Sequence, residues 1–438
     1  MVRRIFNKTK GLLTQNEGLG YLQVYNLMKT AGIVILSIVF AKFVKDPILI
    51  NNWETILLLG TGFTFFYVSG LGYTLVSFIK RYHQTMWPEV FRNTFILLLI
   101  FSFVSCTGII ITGLYFKSIS FPLPELVLFC IYITGTVCST VLEYIYFLKG
   151  SFRKLIGWGI LNFILFITLP AIPLIYGYGF IYSLYALAIF GFLKFVFTLS
   201  LIKGPFNFKN LEYIKPLMVF NWPIILSLLF GTGYVYVANF ILKAKVSDID
   251  FNLFRYGSRE FPLFIVLANS FSIVLGGITT ERFGQHGYWE DVKKSHLRLM
   301  HQVFPMACLL ILTSRYIFEY LFSEQFILSY PIFNILLLTL IARVLFPQSL
   351  LMGKGKNKFA LYSAVVEFII GIALVFILTP LYGIHGAAYG IALAYYTDKI
   401  LLIVFCYRQK IPFHQSMNLK WLALYTLLLV VCFAISIL

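Results

Sequence analysis

Long apolar runs alternate with short polar links along the whole chain, and the length of the runs identifies the elements. A helix needs roughly 20 apolar residues to cross a bilayer core of about 30 Å. Thirteen runs reach that length, at 21–44, 53–79, 93–116, 124–148, 155–176, 180–202, 217–242, 258–280, 299–321, 327–351, 359–380, 384–407 and 420–438. Even the longest link, Glu281 to Arg298, leaves no room for a soluble catalytic domain. The pattern predicts an all-α polytopic membrane protein.

Composition sharpens that reading. Of 438 residues, 60% are hydrophobic and only 12% charged, about half the charge a soluble domain carries. The net charge of +18 would mark polyanion binding if it lay on one solvated face, but it lies in the links. Of the 35 Lys and Arg residues, 23 fall on the side of the N-terminus. Seven (Lys42, Lys45, Lys117, Lys243, Lys245, Arg255, Arg259) fall on the opposite side, and five (Lys29, Lys194, Arg315, Arg343, Lys399) fall within spans. Cytoplasmic links carry the excess of Lys and Arg, so the N-terminus is expected in the cytoplasm. Nucleic acid is excluded as a partner; the bilayer is the solvent.

The chain also repeats itself at one offset of 204 residues. Leu71–Tyr73 (LGY) falls on Leu275–Gly277 (LGG), Tyr178-Gly179 on Tyr382-Gly383, Tyr185 on Tyr389 and Ala188 on Ala392. The link LKGSFRK, from Leu148, overlays MGKGKNK, from Met352. Two pseudo-symmetric six-helix lobes around a central cavity are expected: 1–203, a cytoplasmic linker 204–216, and 217–410. Residues 411–438 form an additional span outside the repeat.

Charges inside spans cost at least about 2.5–3.5 kcal/mol each on insertion scales, so each calls for a reason. Lys29, with Asn26 before it, lies about eight residues into span 1; it either snorkels to the headgroups or faces a cavity. Arg255 and Arg259 are four apart at the outer entry to span 8, which puts them on one helical face. Arg suits phosphate because its guanidinium donates two parallel hydrogen bonds, while Glu260 beside Arg259 offers simple neutralisation. Glu143 and Lys194 in the first lobe, and Arg343 and Asp398 in the second, read as one acid and one base per lobe that pair structurally. Glu367, in the middle of span 11, has no evident partner: it is protonated, paired out of view, or a site where a proton or cation couples to transport. No GxxxxGK[ST] loop, HExxH motif or metal-ligand cluster is present in the sequence, so neither ATP hydrolysis nor a cofactor is expected.

The stretches GKGKNKFALYSAVVEF and LTPLYGIHGAAYGIALAY, with FRYGSREFPLF ending at Phe264, resemble bacterial polysaccharide (O-antigen repeat-unit) flippases of the multidrug/oligosaccharidyl-lipid/polysaccharide (MOP) exporter superfamily. The odd thirteenth span departs from relatives with twelve or fourteen. The resemblance implies a bacterial inner-membrane protein, not an enzyme. It would move undecaprenyl-diphosphate-linked oligosaccharide from the cytoplasmic to the periplasmic leaflet by alternating access, alongside polymerase or export proteins. It also implies that cations from helices such as 1 and 8, here Lys29 with Asn26, Arg255 and Arg259, hold the diphosphate. Two other readings stay open: a multidrug exporter of the same superfamily, and a membrane-embedded glycan polymerase or acyltransferase.

Overall fold

The computed structural model describes residues 2–202, 211–259, 282–356 and 358–437, with scattered positions between 261 and 279; the side chains of 2–19, 73 and 77 fall outside this description. Every regular element among the described residues is helical. Among the described residues, eleven helices are long and apolar enough to cross a membrane. One of them, Lys358–Arg408, loses helical geometry at Tyr382 and Gly383 and so supplies both span 11 and span 12. Twelve of the thirteen predicted spans are therefore met, within a few residues at most ends. Span 8, Glu260 and linker residues 204–210 lie wholly or largely outside the described residues.

Internal packing divides the chain into two units. The first holds residues 1–44 and 55–225, the second 45–54 and 226–438. These boundaries differ from the expected ones, which followed the loops. Residues 217–225 of span 7 pack with the first unit, and the start of span 2 packs with the second.

In the first unit, α1 (Val2–Phe43), most of α2 (Pro47–Ile79), α3 (Trp87–Tyr115), α4 (Leu123–Leu148), α5 (Phe152–Ile175) and α6 (Phe180–Leu201) form the bundle. Its tightest seam joins α4 to α6 at Gly135 and Gly191. A Cβ on Gly135 would sit 1.8 Å from the Gly191 carbonyl oxygen, so only glycine lets the backbones meet. Helices in lipid lack a hydrophobic force between them and rely on such close backbone approach.

The second unit contains α7 (Ile214–Gly231, from Leu226 onward), α8 (Gly233–Lys245), α9 (Asp248–Gly257), α10 (Tyr288–Ile317), α11 (Tyr330–Leu337), α12 (Leu340–Arg343), α13 (Pro347–Gly353), the bent α14 (Lys358–Arg408) and α15 (Leu419–Ile437). The arms of α14 close on each other where a Cβ on Gly386 would meet the Leu378 carbonyl oxygen at 2.0 Å. The Tyr-Gly pair of the sequence repeat marks the same place in both halves: Tyr178-Gly179 immediately precedes α6, and Tyr382-Gly383 breaks α14. The last helix, α15, rests on α10: Tyr425 stacks on Phe304 at 5.1 Å and shares a 2.6 Å hydrogen bond with His301. Only Leu429 of α15 is buried.

Candidate functional site

In an apolar chain the candidate chemistry is where polar groups are buried, and each unit has such a cavity. That of the first unit, about 250 Å³, is lined by Lys29, Glu143, Lys194, Tyr25, Thr136 and Asn162 among apolar side chains. Glu143 Oε1 accepts from Lys29 Nζ at 2.6 Å and from the Tyr25 hydroxyl at 2.7 Å. The Lys29 side chain is 46% exposed, that of Glu143 only 6%. Lys194 is buried; its amine donates to Thr136 Oγ1 at 3.3 Å and lies 5.0 Å from the Phe190 ring centre.

The expected pair of Glu143 with Lys194 therefore gives way to Glu143 with Lys29. Thr136 precedes Glu143 by two helical turns, about 10 Å along the α4 axis, so Lys194 enters the helix at a different level. Asn26 is exposed and is not part of the cavity wall. This cavity thus holds two amines and one carboxylate.

In the second unit, a cavity of about 480 Å³ is lined by Arg255, Arg259, Arg343, Tyr234, Asn239 and Tyr395, among others. Local sequence explains how the arginines reach it. Ser247 caps α9, accepting from the Asp250 amide at 3.1 Å and donating to the Asp250 carboxylate at 2.8 Å. Asp248 and Asp250 in the first turn and Arg255 in the last complement the helix dipole. The helix ends at Gly257, where a Cβ would meet the Ser329 carbonyl oxygen at 2.5 Å. Arg259 thus lies beyond the helix, not on a continuous face with Arg255. A 3.3 Å bond from its amide to the Tyr256 carbonyl nevertheless turns it back.

Both arginines converge on a residue the sequence reading did not single out, Glu54 of α2. Arg255 Nε lies 3.0 Å from Glu54 Oε2 and Arg259 Nη2 lies 2.5 Å from Oε1. The Glu54 side chain is fully buried, and the arginine side chains are 11% and 14% exposed. Arg255 Nη1 also donates to Asn239 Oδ1 at 3.4 Å, and Arg259 Nε has no partner. The only sequence signal for Glu54 was an acid at the edge of an apolar run.

A smaller cavity of about 140 Å³ shares Arg343 and Tyr395 with the larger one and adds Lys399, Ser272 and Ser349. The expected Arg343–Asp398 pair is replaced as well. Asp398 accepts from Lys399 Nζ at 2.9 Å and from the Ser363 hydroxyl, while the Arg343 guanidinium lies over the Tyr395 ring at 5.5 Å. Tyr395 is one helical turn before Asp398, and the neighbouring Lys399 reaches the carboxylate round the helix. Glu367 is buried on the first arm of α14, and its Oε1 has no hydrogen-bond partner.

No protein-family model matches the chain, and no curated protein sequence is significantly similar to it. Solved structures are more informative. The lipid II flippase MurJ, in an inward closed conformation, aligns over 94% of this chain and 92% of its own with a TM-score of 0.69 at 15% identity. The eukaryotic MATE transporter AtDTX14 aligns over 91% and 96%, with a TM-score of 0.60 at 12% identity. An inward-facing multidrug resistance MATE family transporter of the MOP superfamily aligns over 89% and 94%, with a TM-score of 0.55 at 16% identity. The chain has the fold of these solved structures. All three neighbours are named as a flippase or as transporters, and at these identities the fold is what they and this chain share.

Proposed function

We propose that the chain is a flippase that moves undecaprenyl-diphosphate-linked oligosaccharide from the cytoplasmic to the periplasmic leaflet of a bacterial inner membrane by alternating access. The observation that carries the reading is that, among the described residues, basic side chains outnumber carboxylates at the main polar cavity of each unit: Lys29 and Lys194 with Glu143 at one, Arg255 and Arg259, both paired to Glu54, at the other. A diphosphate keeps its negative charge throughout the crossing. It needs fixed positive charge in place of water, held loosely enough to let go. The likeness to a lipid II flippase supports the same reading. In this reading the N-terminus is cytoplasmic, Glu367 is the site where a proton or cation couples to the cycle, and polymerase or export proteins take over the product.

The test is export of lipid-linked glycan in cells at matched protein level. Lys29→Ala, Arg255→Ala and Arg259→Ala should each reduce it, and Lys29→Arg should retain more activity than Lys29→Glu. Normal export by all three alanine variants would sink the reading.

A second reading, multidrug export, is favoured by the MATE neighbours and by the apolar lining around Glu143. Dye efflux that falls in Glu143→Gln while glycan export is unchanged would select it.

A further inference from the structure

The head of α2 carries a row of polar contacts unlike any other helix seam described above. Pro47, Asn51 and Glu54 fall at helical spacing along one face. The Pro47 carbonyl accepts from Asn252 Nδ2 at 3.2 Å, Asn51 Oδ1 accepts from Lys243 Nζ at 2.7 Å, and Glu54 takes both Arg255 and Arg259. Asp248 binds the same Lys243 amine at 2.5 Å. The helix start is set by Asp46, whose carboxylate accepts from the Ile48 amide at 2.8 Å, with Pro47 as the first helical residue. Immediately after Glu54 the helix passes into the first unit, so the zipper fastens to the second unit the short end of a helix whose long end belongs to the first.

Such a seam suits contact that is made and broken. The Gly135–Gly191 seam is backbone against backbone and offers water nothing in exchange. Surfaces bearing Glu, Lys, Asn and two Arg can instead be solvated when apart, so both arrangements are accessible to one sequence. A carboxylate and a phosphate oxygen pair present the same acceptor geometry to a guanidinium. Glu54 thus occupies the place an anionic ligand would take, while the buried Arg259 Nε beside it remains without an acceptor.

We propose that the head of α2 is a detachable clasp whose Glu54 carboxylate competes with an anionic phosphate ligand for Arg255 and Arg259, so that ligand binding and release of residues 45–54 favour each other. This rests on the flippase reading, and adds to it a residue and an order of events. With Glu54 in place both guanidinia are engaged by its carboxylate; the ligand phosphates take over the guanidinia as α2 lets go. A ligand that favours the unclasped state by its differential affinity shifts the population towards it.

The experiment uses purified full-length protein, inorganic pyrophosphate as the probe, and hydrogen–deuterium exchange of the segment 45–54. Three chains are compared: the parent, Glu54→Gln, and Asn51→Ala, which weakens the zipper without touching an arginine. Glu54→Gln should bind pyrophosphate roughly tenfold tighter than the parent, as expected for loss of a charge-assisted competitor, and Asn51→Ala by a smaller factor. Saturating pyrophosphate should speed exchange of 45–54 in the parent. Should Glu54→Gln fail to accumulate, the parent and Asn51→Ala carry the test unaided. Pyrophosphate that binds yet leaves 45–54 unchanged or slower overturns the clasp and spares the flippase reading. Absence of binding in every chain, with dye efflux intact, overturns both.

Discussion

The two polar cavities are built from the same charges and held in opposite ways. In the first unit a half-exposed lysine meets a buried carboxylate, a tyrosine hydroxyl shares the load, and a second lysine stands apart on a threonine. In the second unit two nearly buried guanidinia enclose a carboxylate that sees no solvent. The Lys29 side chain is 46% exposed, whereas those of Arg255 and Arg259 are 11% and 14% exposed with Glu54 between them. The lesson is that excess positive charge alone does not say whether a site is available. The partner and its exposure decide that, and here they leave Lys29 half exposed on its acid while Arg255 and Arg259 are held on theirs with little exposure.

Four substitutions would break or sharpen this contrast. Glu54→Ala should have the largest effect, because it leaves two buried cations unpaired, at about 3–5 kcal/mol; size-exclusion profile and denaturation midpoint in detergent report it. Asp398→Ala should cost about 2–3 kcal/mol, since the Lys399 ammonium loses a charged hydrogen bond. A midpoint equal to the parent's would mean that the Lys399–Asp398 contact carries nothing. Glu143→Gln keeps an acceptor for Tyr25 and removes only the half-exposed ion pair, so a shift of about 1 kcal/mol or less is expected. A loss as large as that of Glu54→Ala would erase the distinction between the cavities. Lys194→Met should be close to neutral in stability, because an apolar chain of similar length replaces a buried amine that has no carboxylate partner. Reduced export by that stable variant would show that the charge serves transport.

Most of the fold was legible from run length. The bilayer dictates about 20 apolar residues per crossing, and the observed helix limits follow the runs. The Tyr-Gly punctuation at Tyr178-Gly179 and Tyr382-Gly383 was visible as a repeat and marks the same bend in both halves. What run length hid was the membership of the first turns of α2, because a helix that starts in one packing unit and continues in another has no hydropathy signature. The candidate residues were legible as charges out of place, but their partners were not. Lys29 was weighed as a snorkelling amine or a cavity lysine; it lines a cavity, half exposed, bound to a carboxylate 114 residues away.

The pairing rule used on the sequence, one acid to one base within each lobe, assumed that equivalent helices bring their charges to equal depth. Thr136 took Lys194 and the neighbouring Lys399 took Asp398 because depth along a helix and the reach of a side chain choose the partner. By itself the sequence determined that this chain lives in a membrane, how many times it can cross, which links are basic and which residues carry a charge where apolar side chains are the rule. These are properties of composition and spacing that the solvent enforces residue by residue. Only the tertiary structure decided that Glu54 binds Arg255 and Arg259, 201 and 205 residues away, because a salt bridge depends on three-dimensional proximity, and no local preference of Asn-Asn-Trp-Glu records where α9 will be.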